Sequence, residues 1–504
     1  MSVKQRADYK WLVFFTVGMG TFMAVVDHGS VNVALPTIAS HFNTDIATVQ
    51  WVSLGYALGI SALLLPAGRL ADQFGRKEVY AAGFVLFGLS SALAGSSPNL
   101  WFLIAFKISS AVGAAMIMAN GLAILTSVFP ATERGKVLGT HMAFVGSGSI
   151  FGPVFGGLLV STLGWRSVFF INLPLALFGL GLALLFLNRR QLSQLENGRR
   201  GSFDWMGAFL SSGALIIFLM GMTNGHRIGW DSPIIVVALT AAVVLLGLFL
   251  WRETRAASPM LDLGLFKSQT FSFGALAGFT AFLASGSIFF LMPFYLQKVL
   301  GYSPGESGLI MVSSAACMAL MGPVAGRLSD RFGWRPFNVG GAVLTTAGVF
   351  LIATLSEDSS VGLIIAALIL HGLGGGMFYA TNYSAVLGAV SPSKYGIASA
   401  FLNLNRNTAS TTGLAIATTI VVGTMASMGF EPSLDAVAGS AGAGAANAFV
   451  TGMRNVYLMA GGLMILVIAI SAFTMKQEKM PTEAGTVGLP TVGKAEGPPQ
   501  GTPD

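Results

Sequence analysis

The sequence predicts an all-α membrane protein with fourteen transmembrane helices: two pseudo-symmetric six-helix bundles and two central helices inserted between them. Three observations lead there. Of 504 residues, 54% are apolar and only 10% charged, against about 25% charge in a soluble domain. That excludes a water-soluble globular enzyme, a disordered chain and a disulfide-built scaffold, and Cys317 alone closes no intramolecular bridge. The apolar residues fall in runs of roughly the 20 residues a helix needs to cross a bilayer. A ten-residue motif also occurs twice, 258 positions apart.

The apolar runs, bounded by charges or turn residues, lie at 11–35, 47–66, 79–96, 100–129, 134–161, 167–187, 204–223, 233–251, 271–296, 306–326, 337–355, 361–389, 395–427 and 452–474. The first is too long for a signal peptide, and no small-residue cleavage site follows it before Pro36, so it reads as a retained helix. The domains follow: a cytoplasmic N-terminus at 1–10, an N-terminal bundle at 11–187, a cytoplasmic loop at 188–203 and the inserted pair at 204–251. A cytoplasmic linker at 252–270, a C-terminal bundle at 271–474 and a disordered cytoplasmic tail at 475–504 complete the chain. The small-residue segment Glu431 to Asn447 reads as an exposed linker between the last two spans.

Charge placement sets the orientation. Of 28 Lys and Arg, 22 fall at the termini and in every second loop, whereas the intervening loops hold only Arg166, Arg227 and Lys298. Basic residues accumulate on the cytoplasmic side, so both termini are expected there, in a multi-pass protein of the cell membrane. The net charge of +7 is thereby explained without a nucleic-acid partner. The partner this points to is the bilayer.

The repeated motif reads Gly68-Arg69-Leu-Ala-Asp72-Gln-Phe-Gly75-Arg76-Lys77, then Gly326-Arg327-Leu-Ser-Asp330-Arg-Phe-Gly333-Trp-Arg335, each assigned to a cytoplasmic loop. Arg134-Gly135 corresponds less closely to Tyr395-Gly396, an offset of 261 that also pairs Gly152 with Gly413. Six helices need only about 200 residues, so the offset leaves room for two more between the repeats.

With these motifs the chain resembles the major facilitator superfamily, in particular its fourteen-span drug:proton antiporter branch of the EmrB/QacA type. The loop motif resembles the superfamily signature between the second and third helices. Asp27-His-Gly-Ser-Val-Asn32-Val-Ala-Leu-Pro36, Gly148-Ser-Ile-Phe-Gly152-Pro153-Val-Phe-Gly156-Gly157 and Trp165-Arg-Ser-Val-Phe-Phe-Ile-Asn-Leu-Pro174 resemble the fourteen-span branch, as do Pro259 to Phe266 and Tyr295 to Pro304. The resemblance covers roughly residues 11–475. It implies a conformational latch at Gly68, Arg69, Asp72, Gly75, Arg76, Arg327, Asp330, Gly333 and Arg335. It also implies an antiporter motif at Gly148, Gly152, Pro153, Gly156 and Gly157 that seals the two halves against leak. A solvated charge cluster and generic tight packing are the plainer readings of these two motifs.

Asp27 is the one acidic residue well inside a span. An intramembrane carboxylate costs about 2.5–3.5 kcal/mol on insertion scales and marks a functional site by default. At 1.5 Å per residue, Asp27 and Lys107 both lie about 10–13 Å below the outer surface. They can therefore pair, either as a proton-coupling site or as a static ion pair orienting two helices. The family carries arginine where this chain has Lys107, a compact and deprotonatable head in place of a fixed fork. Arg406, His371 and Asn32 are candidates for substrate contact or relay.

An intramembrane hydrolase needs a nucleophile with a base in reach, and the serines near Gly148 have no such motif. Neither a dinucleotide fingerprint nor a phosphate-binding loop occurs. With no such motif, and with what the resemblance implies, the expectation is not an enzyme but a proton-coupled exporter of lipophilic small molecules, monovalent or neutral, working by alternating access as a monomer with protons as the other partner and no cofactor or metal. A dedicated exporter of one endogenous lipid or metabolite, and a non-transporting membrane sensor, are the alternatives.

Overall fold

The computed structural model describes residues 3–129, 134–188, 204–256, 261–390, 395–430 and 442–473. The described residues form long helices: α1 Val3–His41, α2 Trp51–Phe74, α3 Arg76–Gly95, α4 Leu100–Val128, α5 Arg134–Leu163 and α6 Ser167–Phe186. There follow α7 Trp205–Ile228, α8 Pro233–Glu253, α9 Gln269–Val299, α10 Pro304–Phe332, α11 Trp334–Ala353, α12 Val361–Gly388, α13 Tyr395–Ser427 and α14 Gly442–Phe473. Twelve are long and apolar enough to cross a membrane, and α2 and α5 contain shorter apolar stretches at Trp51–Leu64 and Phe151–Leu163. Large apolar side chains such as Val237, Val243 and Leu185 lie on the outer surface. In water that surface would be unfavourable; in lipid it is the solvated one. The protein is therefore a multi-pass membrane protein.

Local chemistry starts and bends the helices. Asn99, Asp204, Ser268 and Ser360 cap α4, α7, α9 and α12 by accepting a backbone N–H in the first turn, which satisfies donors that have no helical partner. Ser303 and Glu306 form a reciprocal capping box that opens α10. Prolines lie inside α1, α2, α5, α9 and α10, where the lost N–H favours a bend.

The packing order repeats along the chain. In the first set of helices, α1 packs on α5, α2 and α3 pack on α4, and α3 packs on α6. In the second set, α9 packs on α13, α10 and α11 pack on α12, and α11 packs on α14. Between them, α7 pairs with α8 and leans on α2 and α13.

Two expectations need correcting. The repeated motif does not lie in a loop: Gly68 to Phe74 ends α2 and Gly326 to Phe332 ends α10. Only Gly75 (φ 102°) and Gly333 (φ 87°) break the chain, in a backbone region that an L side chain rarely adopts. The linker expected up to Asn447 ends earlier, because α14 begins at Gly442. Alanine favours helix, and Ala445 and Ala446 are buried there; residues 431–441 lie outside the described residues, as does the tail from 474.

Candidate functional site

Asp27, in the middle of α1, faces α4 and α6. Its Oδ2 accepts a hydrogen bond from Lys107 Nζ at 2.7 Å, and its Oδ1 accepts one from Asn172 Nδ2 at 2.7 Å. All three residues are at most 1% exposed. A buried charge is tolerable when it is paired and its remaining lone pairs are satisfied, and here both carboxylate oxygens are engaged. The Lys107 ammonium also lies over the Tyr56 ring, 4.0 Å from its centroid, where the negative π face attracts a cation. The Tyr56 ring also stacks on His28, with centroids 6.3 Å apart.

Tyr56 and His28 line a cavity of about 260 Å³ between the two helix sets. The first set contributes residues from α1, α2, α4 and α5, and the second set residues from α9, α10, α12 and α13. The three residues named as substrate or relay candidates, Asn32, His371 and Arg406, all line it. Asn32 Oδ1 accepts from Ser53 Oγ at 2.7 Å, and His371 Nδ1 lies 3.1 Å from Ser314 Oγ. One wall carries Phe282 and Tyr379, stacked at 4.2 Å with an interplanar angle of 14°.

The α5 glycines have two different neighbours. A Cβ on Gly148 would come within 2.9 Å of Val25, one on Gly152 within 3.0 Å of Gly29, and one on Gly156 within 2.5 Å of Ser30 Cα. These three positions therefore press α5 against α1 within one helix set, and Ser30 Oγ donates to the Gly152 carbonyl at 2.8 Å. Small residues at this spacing allow backbones to approach. Contact with the second set falls to Gly157, where a Cβ would meet the Pro304 carbonyl at 2.5 Å, and to Pro153, whose carbonyl abuts Gly308. On the same side of the molecule Gln297 Nε2 donates to the Val33 carbonyl at 2.9 Å, and Lys298 Nζ donates to Ser40 Oγ at 2.5 Å.

Among the residues named for the latch, Arg335 donates to the Ala472 carbonyl near the end of α14. At the equivalent place in the first repeat, Lys77 Nζ donates to the Leu184 carbonyl near the end of α6, at 2.9 Å. Both cations thus serve carbonyls at a helix C-terminus, where the dipole favours positive charge. Arg327 is exposed, Arg69 and Arg76 are partly buried, and a Cβ added to Gly68 would lie 3.8 Å from Ala119 Cβ. The side chains of Asp72 and Asp330 lie outside the described residues.

Asn172, Tyr56 and the Phe282–Tyr379 pair had no assigned role in the sequence reading. Asn172 carried one signal, an amide in the otherwise apolar run of α6; the aromatic residues carried none, because aromatic residues are common in such helices.

A set of apolar helices enclosing a cavity between two repeated groups, with few charges buried among the helices, defines a membrane carrier by its architecture. The sequence matches the Major Facilitator Superfamily over residues 12–251, 205–413 and 274–493, and the chain belongs to that family. It is a secondary transporter, not an enzyme. It is 34% identical to the riboflavin transporter RibZ of Clostridioides difficile, across 81% of this chain and 87% of that one. It is 32% identical to the multidrug resistance protein Stp of Mycobacterium tuberculosis (84% and 78%). It is 30% identical to a tetracenomycin C resistance and export protein of Streptomyces glaucescens (95% of each). A crystal structure of a bacterial homolog of the human lysosomal transporter Spinster shares the fold, with a TM-score of 0.63 at 17% identity over 94% of this chain and 99% of that one.

Proposed function

We propose that the protein is a proton-coupled antiporter of the fourteen-span drug-export branch, which moves lipophilic small molecules out of the cell by alternating access. The observation that carries this reading is the Asp27–Lys107 pair, fully buried yet only one side chain from a cavity lined by both helix sets. In this reading α2 and α5 also cross the bilayer, since their helices run to 24 and 30 residues. Helices α1–α6 and α9–α14 are then the two bundles, α7 and α8 the insertion, and both termini are cytoplasmic. The outer face is the one sealed by Gly157 against Pro304 and by Lys298 on Ser40, so this conformation is closed to the outside.

Protonation of Asp27 removes the charge that holds Lys107. The ammonium is then left with the Tyr56 and Phe169 rings, and since Tyr56 is also a cavity wall, the change reaches the substrate site directly. Rocking of the two bundles about that midplane site supplies the alternation. The latch motif and the α5 glycines serve the two closures, inner and outer. The names of the multidrug resistance and tetracenomycin C export relatives support export. The riboflavin transporter among the relatives favours a second reading, a carrier dedicated to one endogenous metabolite.

Purified protein in liposomes under an imposed pH gradient tests the coupling. Wild type is expected to show substrate-dependent proton flux and Asp27→Asn to show none; equal flux from the variant would remove Asp27 from the mechanism.

A further inference from the structure

We infer that the cavity between the helix sets selects planar aromatic molecules bearing negative charge, with Arg406 as the counter-charge. This rests on the cavity being the substrate site of the carrier proposed above. Arg406 lines the cavity and makes no hydrogen bond or ion pair with another described residue, while no Asp or Glu is among the lining residues. The acid nearest in sequence to that lining, Asp27, has both oxygens occupied by Lys107 and Asn172 behind the Tyr56 wall. Among the described residues the cavity thus carries an uncompensated positive charge.

Its other polar atoms point to the same chemistry. Asn407 Nδ2, a donor only, is buried without a partner among the described residues, and so are Tyr56 Oη and His371 Nε2. All three residues line the cavity. A buried donor left unpaired is costly, and acceptor oxygens on a ligand satisfy Asn407 Nδ2 and the Tyr56 hydroxyl. A guanidinium with open N–H groups binds a carboxylate or phenolate through charge-assisted, often bidentate bonds. A cation entering the same space meets Arg406 with no acid to offset it, and like charges at short range in a low-dielectric site repel strongly.

The apolar part of the lining selects for shape. The parallel Phe282–Tyr379 pair presents a flat surface on which a ring can stack. Met118, Met311 and Met318 also line the space, and their thioethers adapt to varied ring outlines. A volume of about 260 Å³ suits a small fused-ring system.

Three probes on one bicyclic frame test this: 2-naphthoate, neutral 2-naphthamide and (2-naphthyl)methylammonium. Each is titrated calorimetrically into protein in lipid nanodiscs, with empty nanodiscs as the blank and no pH gradient. The expected result is that naphthoate binds at least about tenfold tighter than the ammonium probe, with the amide between them. Arg406→Gln is expected to erase that preference without lowering the unfolding temperature, since no native partner is lost, and Arg406→Lys to keep part of it. An ammonium probe that binds as tightly as naphthoate, a preference that survives Arg406→Gln, or no binding by any probe would overturn the assignment. Binding without a gradient fails or succeeds separately from proton coupling, which the liposome flux reads.

Discussion

In the first helix set the buried carboxylate of Asp27 is enclosed by Lys107, Asn172 and the face of Tyr56. The second set has the same packing at the same places but no charge there. Gly29 meets Gly152 on α5, and 257 residues on Gly286 meets Ser410 on α13; Gly113 closes on α3 at Gly83 and Phe87, and 261 residues on Gly374 closes on α11 at Gly341 and Thr345. By these offsets Asp27 corresponds to Ala284 and Lys107 to Leu368, both 1% exposed. In the second set Arg406 instead faces the cavity with no partner among the described residues. The same helical frame thus folds with or without the ion pair. Replacing a buried pair by apolar residues of fitting volume is often neutral or stabilising, so the charges in the first set are better explained by function than by stability.

The comparison can be broken by transplanting the second set's solution into the first. Lys107→Ala alone strands Asp27 and is expected to cost about 3–5 kcal/mol, read as a drop in unfolding midpoint in detergent. The pair Asp27→Ala with Lys107→Leu is expected to recover most of that stability while abolishing gradient-driven proton flux. If the double variant unfolds as readily as the single one, the pair is structural after all. Asn172→Ala removes one hydrogen bond to the carboxylate, so a loss of about 1.5–3 kcal/mol is expected. The same unfolding assay reads it, and an unchanged midpoint would mean that Asn172 is a bystander.

Gly157→Ala places a methyl group against the Pro304 carbonyl, and overpacking of this kind costs about 1–3 kcal/mol. The strain falls between helix sets and not within one, so it is relieved by opening. Labelling of Ser40→Cys by a membrane-impermeant maleimide is expected to rise several-fold in the Gly157→Ala background. Gly148→Ala, which presses on α1 inside the set, is expected to lower stability and leave the labelling unchanged. The smallest effect belongs to the helix-end cations: Lys77→Ala and Arg335→Ala are each expected to cost about 0.3–1 kcal/mol, similar in the two repeats. A much larger loss in one of them would show that its repeat uses the cation for more than the helix terminus.

Much of this was legible in one dimension. The low charge density announced the membrane, and the helix limits agree with the apolar runs to within a few residues at most ends. The departures came where a helix continues past its apolar part, as at Gly68 to Phe74, because hydropathy marks the buried length and not the helical length. Depth arithmetic brought Asp27 and Lys107 to the same level, since 1.5 Å per residue holds whatever the packing.

What the sequence determined by itself is how far along each helix a residue lies: membrane residence, the repeat, and the few charges too costly to be there without a partner or a purpose. Which way each residue faces was decided by the tertiary structure. A helix that is apolar all round carries no amphipathic signal to mark its buried side, so α6 gave no sign that Asn172 turns toward Asp27. For the same reason α5 gave no sign that Gly156 and Gly157, adjacent in the chain, press on different helix sets. The cavity is the extreme case. It is built from residues of eight helices, most of them without any signal in their own segments, and it exists only where their packing leaves a gap.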